Sequence, residues 1–349
     1  MTYRVTLKDT ANSFDCAADE PVLEAALRAG LFLPYGCKTG ACGACRARLI
    51  SGKVAHEYEP LGLSEEEVAE GYTLLCLARP RSDLVIQVRE LPKHEAIRAR
   101  NLPARVEYKE QLAADVMKMV LRLPKGDPFE YLPGQYVDIL IEGDKRRSFS
   151  IANAPQPANP FDYPRIELHL RLTPGGTFTR YVFEEMPERA MLRLEGPLGG
   201  FYLREDSDKT ALFMAGGTGF APIKAMLEDL LPRSQGRTVH LFWGARAVQD
   251  LYMDSLPRQW QEKYPNFRYT PVLSEPMAED NWTGAKGFVH EALLREYPQL
   301  SDADVYMSGP PPMIQAAKHS FHAAGLPTER LFYDSFDYAW QVWPAAPPT

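Results

Sequence analysis

Three cysteines within nine residues constrain this chain more than any other feature of its sequence. Cys37, Cys42 and Cys45 lie in the stretch YGCKTGACGACRARL, and the whole chain of 349 residues has only five cysteines. Their spacing is C-x4-C-x2-C, and Cys76 follows in LLCLARP. Three thiols so close together cannot pair sensibly, and an odd total fits a reducing compartment better than a disulfide framework. Four thiolates at this spacing predict a metal centre.

The spacing favours a [2Fe–2S] cluster over zinc. Each iron of such a cluster takes two thiolates, and C-x4-C-x2-C with a later fourth cysteine is the plant-type pattern. Gly36, Gly40 and Gly43 would let the loop wrap the cluster and direct backbone N–H groups at its sulfides. A structural zinc site is the alternative, but zinc usually uses paired C-x2-C knuckles and only one such pair is present. Cys16 stands alone on a predicted strand, where we expect a buried, small hydrophobic role.

Composition and charge exclude several classes of protein. The chain is 45% hydrophobic and 24% charged, as in globular proteins. Its net charge of −7 gives no basic footprint for nucleic acid. No apolar run approaches the ~20 residues that span a bilayer, and the start MTYRVTLKDT predicts a strand rather than a signal peptide. We therefore expect a cytoplasmic protein of two or three domains, with no membrane or nucleic-acid partner.

The first 92 residues predict one domain. Strands are predicted at YRVTL, CRARLISG and LVIQVREL, and a helix is predicted at PVLEAALRAG. A second, acidic helix in SEEEVAEG has a capping box formed by Ser64 and Glu67. Residues 93–103 show little periodicity and are predicted to be a linker.

Two further blocks follow the linker. Residues 104–205 alternate between apolar and polar side chains in DVMKMVLRL, QYVDILI and RIELHLRL, which predicts a small antiparallel β-barrel. Residues 206–349 repeat a strand–turn–helix pattern, which predicts a parallel α/β sheet followed by a C-terminal tail.

The middle block has residues suited to a flavin. RRSFS gives an R-x-[YF]-S pattern that spans Arg147, Ser148, Phe149 and Ser150. The aromatic ring can stack on an isoalloxazine, the second hydroxyl can bond the N5 region, and the arginine can neutralise a pyrophosphate. A four-residue match alone is also common at the end of a surface strand.

A glycine turn reinforces the flavin interpretation. In LRLTPGGTFTRYV, Gly175 and Gly176 leave backbone N–H groups open beside the hydroxyls of Thr177 and Thr179. A turn of this kind at the start of a helix is a natural seat for phosphate.

The third block carries a dinucleotide-type turn in FMAGGTGFAP. Gly216, Gly217, Thr218 and Gly219 lie between a predicted strand and a predicted helix, where phosphates could approach backbone amides. The turn is not the G-x-G-x-x-G fingerprint, and a tight structural connection is the alternative.

Together with PGQYVDI and EGPLGGF, these motifs resemble the flavin barrel and nicotinamide domain of the ferredoxin–NADP reductase superfamily. In that superfamily the strand end matching YMSGPPPM reads C-G-P-P near the nicotinamide; here Ser308 stands before Gly309 and Pro310. RLFYDSF resembles the strand whose aromatic residue covers the flavin, with Phe336 as the candidate and Tyr338 or Trp340 as alternatives. By this resemblance the candidate catalytic residues are Ser150, Thr218, Ser308 and Phe336.

The resemblance also gives two further candidates for cofactor binding. They are His169 and Arg171 in ELHLRL, although a satisfied or solvent-facing strand histidine is the preferred interpretation of His169. Arg246 in WGARAVQDLY could pair with the 2′-phosphate of NADPH, but many NADH-using relatives carry an arginine there that packs on the adenine. We therefore expect NADH.

The first ninety residues resemble the plant-type ferredoxin domain, which implies a β-grasp fold. The order ferredoxin, flavin domain, nicotinamide domain is similar to that of reductase components of multicomponent bacterial oxygenases, especially those of aromatic-ring dioxygenases and di-iron monooxygenases. This implies a monomeric NAD(P)H-dependent oxidoreductase that passes electrons from NADH to FAD, to the [2Fe–2S] cluster, and on to an oxygenase component or an intermediate ferredoxin.

Two other functions stay open. CDP-6-deoxyglucoseen reductases of deoxysugar biosynthesis have a very similar domain order and similar motifs. A non-enzymatic iron–sulfur sensor on a degenerate reductase scaffold is the third hypothesis, which intact flavin and nicotinamide motifs argue against. Lys38, Arg46, Arg48 and Arg79 flank the cluster ligands and could make a positive docking face, or could be ordinary solvated charges.

Overall fold

The computed structural model describes residues 1–10, 12–36, 38–40, 43–88, 97, 99–126, 128–141, 145–157, 162–205, 207–234 and 236–336. The chain forms two compact units. The first is built mainly from residues 1–97, and the second from residues 98–198 and 202–333.

The first unit has a five-stranded sheet, one two-stranded sheet and two short helices. Its elements are β1 (Thr2–Leu7), β2 (Ser13–Ala17), α1 (Val22–Arg28), β3 (Arg46–Ser51), β4 (Val54–His56), α2 (Glu65–Ala69), β5 (Tyr72–Leu74), β6 (Ala78–Pro80) and β7 (Leu84–Gln87). The main sheet has the order β2-β1-β7-β3-β5, with β1 and β7 parallel, and β4 pairs with β6. One face of α1, which includes Leu23 and Ala26, is fully buried in the core of this unit. This arrangement is the predicted β-grasp fold.

The ends of the two helices follow the predicted local chemistry. The Ser64 hydroxyl accepts the Glu67 N–H at 3.2 Å, and the Glu67 carboxylate accepts the Ser64 N–H at 2.8 Å. The capping box is therefore confirmed, and it satisfies two N–H groups that the helix leaves without internal partners. After α1, Gly30 has a φ of 78°, a conformation that favours glycine at the end of a helix.

The first half of the second unit is an antiparallel barrel. Its elements are β8 (Arg100–Ala113), β9 (Val116–Arg122), β10 (Tyr136–Ile141), β11 (Lys145–Ser150), β12 (Arg165–Arg171), α3 (Thr177–Glu184) and β13 (Met191–Leu198). The strand order is β11-β10-β13-β8-β9-β12. The Ala152 N–H donates to the Glu167 carbonyl at 2.7 Å beside a bridge from Ile151 to Leu168, which closes the barrel between its first and last strands. β8 begins at Arg100, inside the segment predicted to be linker.

The second half of this unit is a parallel sheet between helices. Its elements are β14 (Thr210–Gly216), α4 (Phe220–Leu230), β15 (Val239–Ala245), α5 (Ser255–Lys263), β16 (Phe267–Leu273), β17 (Ala285–Lys286), α6 (Val289–Glu296), β18 (Ala303–Gly309), α7 (Pro311–Ala323) and β19 (Leu331–Ser335). The strand order is β17-β16-β15-β14-β18-β19, and every pairing from β17 to β18 is parallel. The carboxyl ends of β14, β15 and β18 therefore lie at one edge of the sheet, where parallel α/β folds bind ligands.

Candidate functional site

The described part of the cysteine loop brings two of the four predicted ligands together. Cys45 and Cys76 are both buried, and the Cys45 carbonyl accepts the Leu75 N–H at 3.0 Å as β3 pairs with β5. Cys37 and Cys42 lie outside the described residues. Cys16 is fully buried elsewhere in this unit, and burial raises the pKa of its thiol to about 11, as expected for an inert side chain.

The backbone of the loop has the conformation that cluster binding requires. Lys38, Gly40 and Gly43 have φ angles of 59°, 77° and 72°. Left-handed backbone at these three positions bends the loop, and turns of this kind can expose N–H groups to an anion. A Cβ at Gly40 would lie 2.9 Å from Leu77 Cγ, so this glycine is also needed for close packing. The loop and its buried thiols therefore fit a [2Fe–2S] cluster.

Carboxylates neutralise most of the cations around this loop. Lys38 pairs with Glu24 at 3.1 Å, and Arg79 pairs with Glu57 at 2.6 Å. Arg46 lies 3.4 Å from Glu67, and both side chains are largely buried. Of the four cations considered for docking, Arg48 alone is exposed without a carboxylate partner among the described residues. A uniformly positive docking face is thus not what the described residues form.

The predicted flavin residues lie on β11. Ser148 donates to Asp138 at 2.6 Å, which ties β11 to β10. The half-buried Phe149 ring packs on Phe178 of α3 with ring centres 5.9 Å apart, and Arg147 lies on the same side of the strand two residues earlier. An arginine, an aromatic ring and the start of α3 thus lie near one another at one end of the barrel.

The start of α3 has the form of a phosphate seat. Gly175 has a φ of 74°, and Gly176 precedes the helix without a side-chain cap. The Thr179 hydroxyl donates to the Gly176 carbonyl at 3.3 Å, and a Cβ on Gly176 would lie 2.6 Å from that hydroxyl oxygen. The first-turn N–H groups, including that of Thr177, are left to an external acceptor, which fits a flavin phosphate.

The nicotinamide motifs of β14 and β18 come together in one place. A Cβ at Gly219 would overlap the Ser308 carbonyl oxygen and lie 2.9 Å from the Gly309 nitrogen. A Cβ at Gly216 would lie 3.0 Å from the Pro310 ring. The glycine turn and the S-G-P segment therefore pack backbone against backbone at the carboxyl edge of the sheet.

Two buried hydroxyl side chains lie in this packed region. Thr218 is 8% exposed and Ser308 is completely buried. Among the described residues, the Ser308 hydroxyl has no hydrogen-bond partner. A buried hydroxyl is normally bonded, so an unpaired one at this edge fits a polar group of a dinucleotide. The Trp243 indole N–H donates to the Gly217 carbonyl at 3.0 Å and holds the turn from β15.

Arg246 and Phe336 lie at the ends of their strands. Arg246 follows β15 with its side chain 67% exposed, 3.7 Å from Asp250. Phe336 follows β19 and is half-buried. Tyr338 and Trp340 lie outside the described residues.

Known proteins match this arrangement across the whole chain. Residues 5–81 match a 2Fe-2S iron-sulfur cluster binding domain, residues 103–202 an oxidoreductase FAD-binding domain, and residues 213–319 an oxidoreductase NAD-binding domain. The chain is 40% identical to a CDP-6-deoxy-L-threo-D-glycero-4-hexulose-3-dehydrase reductase of Yersinia pestis, over 96% of this chain and 99% of that protein. It is 37% identical to the phenol hydroxylase P5 protein of Acinetobacter pittii, over 91% and 89%.

A solved structure agrees. The Amycolatopsis cytochrome P450 reductase GcoB has a TM-score of 0.72 and 31% identity, covering 96% of this chain and 99% of that one. The chain belongs to the family of iron–sulfur flavoprotein reductases. The reductase is an oxidoreductase with [2Fe–2S], FAD and nicotinamide dinucleotide as cofactors, as the sequence predicts. None of its described helices is long and apolar enough to cross a membrane.

His169 and Arg171 lie on the outer face of β12, against the nicotinamide half of the reductase. His169 is fully buried, with Nε2 2.8 Å from the Glu167 carboxylate and Nδ1 2.9 Å from the Tyr252 hydroxyl. Both ring nitrogens are thus occupied, in agreement with the satisfied strand histidine. A Cβ at Gly217 would lie 2.8 Å from an Arg171 guanidinium nitrogen, so this side chain lies directly against the glycine turn.

The surroundings of His169 and Glu167 set the protonation state of each side chain. Burial lowers the pKa of His169 and leaves the ring neutral at pH 7. A carboxylate can only accept, so Nε2–H donates to Glu167 and Nδ1 accepts from the Tyr252 hydroxyl. Burial alone would raise the pKa of Glu167, but the hydrogen bond from His169 and the charge of Lys224 outweigh it and lower that pKa to about 2.

Sequence reasoning missed Glu167, Lys224 and Tyr252. One signal was present: Lys224 interrupts the apolar start of α4, in FAPIKAML, where a solvent-facing helix residue is not expected. Its partners lie far away along the chain, and no local pattern reveals them.

Proposed function

We propose that this reductase is the NADH-dependent electron-transfer component of an oxygenase system, and that its acceptor is an oxygenase component or an intermediate ferredoxin. When bound, FAD accepts a hydride from NADH and releases its electrons singly to the cluster. The observation that carries the proposal is the presence of all three cofactor domains on one chain whose relatives along its full length include the phenol hydroxylase P5 protein.

The residues of this chain would bind and orient the cofactors. Arg147 and the start of α3 neutralise the flavin pyrophosphate, and Phe149 offers a ring for stacking. Ser150 lies at the end of β11, where its hydroxyl would reach the flavin edge. Thr218 and Ser308 would hold the nicotinamide, with Phe336 as the side chain that covers the flavin until the nicotinamide arrives.

Arg246 and Asp250 support a preference for NADH. The Asp250 carboxylate lies 3.7 Å from Arg246 and is held in place by the Ala247 N–H at 3.2 Å. A carboxylate at this distance offsets the charge that a 2′-phosphate would need and repels the phosphate itself. Asp250→Asn should therefore raise kcat/KM for NADPH relative to NADH. A wild-type protein that uses NADPH more efficiently than NADH would overturn the preference.

The acceptor can be tested by reconstitution. Purified holoprotein, NADH and the oxygenase components of the Acinetobacter pittii phenol hydroxylase, without its P5 protein, should consume phenol. Omission of this reductase is the control. The proposal fails if NADH reduces the flavin of the reductase but no oxygenase component accelerates its reoxidation.

Deoxysugar reduction is the second candidate, because the 40% identity to the Yersinia pestis dehydrase reductase covers nearly all of both chains. The same assay with the Yersinia pestis dehydrase separates the two functions. Acceleration of electron transfer by the dehydrase alone would favour deoxysugar synthesis. We further propose that the protein is monomeric and cytoplasmic; light scattering after size exclusion should give a mass near 39.3 kDa.

A further inference from the structure

A group of buried polar side chains joins the flavin barrel to the nicotinamide half of the second unit. We call it the Lys224 cluster; it consists of Glu167 and His169 of β12, Lys224 and Glu228 of α4, and Tyr252 before α5. Lys224 and His169 are almost completely buried. None of these side chains belongs to the three cofactor motifs predicted as phosphate or cluster seats.

Lys224 makes one hydrogen bond and two ion pairs. Its Nζ donates to the Ala152 carbonyl at 2.9 Å and lies 3.2 Å from Glu167 and 2.7 Å from Glu228. One backbone carbonyl therefore accepts from the lysine, and two carboxylates balance its charge. Glu228 in turn accepts the Ala154 N–H at 3.1 Å. One helix is therefore tied to the barrel through two backbone groups and one carboxylate.

These ties connect the two places where the cofactors must meet. Ala152 lies two residues after Ser150, at the end of the strand that carries the flavin motif. Lys224 lies five residues after Gly219, in the helix that the glycine turn begins. The cluster thus forms a direct polar connection between the end of the flavin strand and the nucleotide helix.

Stability alone does not account for such a cluster. Burying Lys224 and most of Glu167 removes two charges from water, and apolar side chains of similar volume often stabilise a buried site as well or better. Apolar contacts are not directional, whereas a hydrogen bond to one carbonyl and ion pairs to carboxylates of β12 and α4 hold one nitrogen at defined distances. The arrangement favours a defined position over maximal stability.

We propose that Lys224, together with Glu167, is a positioning residue that holds the nucleotide helix at the distance from the flavin strand needed for hydride transfer. The inference rests on the NADH-to-FAD step of the proposed function and deepens it. Lys224 touches neither reacting group; it acts through the placement of α4 and Ala152. Misplacement by about 1 Å can slow a reaction about 100-fold even when the change is remote from the chemistry.

The test uses Lys224→Met in the FAD- and cluster-loaded protein, with Lys209→Met as the control. Lys209 is also on the nicotinamide half, but it is partly exposed, and Asp302 is its one ion-pair partner among the described residues. Anaerobic stopped-flow should show flavin reduction by saturating NADH slowed about 10- to 100-fold in Lys224→Met. NADH affinity should change by no more than about threefold, and Lys209→Met should match wild type.

Hydrogen–deuterium exchange without NADH gives a readout that does not depend on activity. The Ala154 N–H and the first turns of α4 should exchange faster in Lys224→Met, while the strands of the barrel core remain protected. If the Lys224→Met protein does not retain FAD, the Glu167→Gln protein is used in its place. This substitution keeps the shape of the side chain but removes its charge and one hydrogen-bond acceptor. Glu167→Gln should also slow flavin reduction with FAD retained.

The outcomes separate the inference from the function on which it rests. If NADH does not reduce the flavin of the wild-type protein, the proposed function is wrong. Hydrogen–deuterium exchange would still show whether the Lys224 cluster holds α4 against the barrel. The positioning role is overturned if NADH reduces the wild-type flavin at a normal rate and a folded Lys224→Met or Glu167→Gln protein reduces its flavin within twofold of that rate. Slow reduction caused only by weaker NADH binding would overturn it as well.

Discussion

Replacing Gly219 with alanine tests whether the glycine turn exists for close packing at the nicotinamide site. Gly219 has φ −59° and ψ −13°, which alanine adopts without strain. Any defect must therefore come from space and not from backbone conformation. A Cβ here would overlap the Ser308 carbonyl and approach the Gly309 nitrogen to 2.9 Å.

The size of the effect follows from these contacts. Restoring a normal separation of about 3.5 Å from the Ser308 carbonyl oxygen requires the turn and the end of β18 to move apart by about 1.5 Å. Backbone atoms on both sides cannot rotate away, so we expect a loss of about 1–3 kcal/mol of unfolding free energy, as for other overpacked sites. The same shift should slow NADH-dependent flavin reduction about 100-fold.

Gly236→Ala is the matched control. Its Cβ would have nothing within 4 Å, so the same substitution adds a methyl group in open space. Stability is measured by urea titration with tryptophan fluorescence, because all five tryptophans lie at or after position 243. Flavin reduction is followed by stopped-flow. A Gly219→Ala protein with the stability and reduction rate of Gly236→Ala would refute the packing argument.

Three further substitutions test a ligand of the [2Fe–2S] cluster, a buried histidine and the aromatic residue proposed to cover the flavin. Cys45→Ser should remove the [2Fe–2S] absorbance and most cytochrome c reduction, since serine is a poor ligand for this iron. NADH:ferricyanide activity should remain, because ferricyanide can take electrons from the flavin. Retention of both cytochrome c and ferricyanide reduction would contradict the ligand role. Burial, with the charge of Arg268, lowers the pKa of His240 to about 3. The folded state therefore binds fewer protons than the unfolded state between pH 6.5 and 3. From pH 7 to pH 5 the free energy of unfolding of the wild type should fall by about 2 kcal/mol more than that of His240→Gln, measured by urea unfolding at both pH values. Phe336→Ala should change NADH affinity or coenzyme preference more than FAD retention; unaltered kinetics would transfer the shielding role to another residue.

Local chemistry was predictable from the sequence where neighbouring residues determine it. The capping box at Ser64 and Glu67 is set by two residues three positions apart, and the structure has it. The strands β4, β5 and β6 were missed because three residues are too few to show alternation. The Lys224 cluster was missed because Glu167 lies 57 positions earlier in the chain, and only the fold brings the two side chains within 3.2 Å.

The glycine turn is a motif that the sequence reveals, although the sequence does not reveal every reason why glycine is needed there. The sequence suggests that the glycines admit phosphates, whereas the structure shows Gly219 and Gly216 making room for the protein's own β18 and Pro310. These interpretations are compatible, because a turn packed this tightly leaves its backbone N–H groups fixed for a ligand. The packing requirement is present in the structure, the binding requirement is a prediction, and the substitution at Gly219 tests both.

Buried polar groups divide into two kinds in the second unit, and the difference bears on function. Lys224 has one carbonyl acceptor and two carboxylate partners within the protein, so its charge is balanced before any ligand binds. The Ser308 hydroxyl is just as deeply buried but has no partner among the described residues. Leaving such a group unpaired costs about 1–3 kcal/mol. If Ser308 contacts the nicotinamide as predicted, a polar edge of that ring would supply the missing bond and recover this cost.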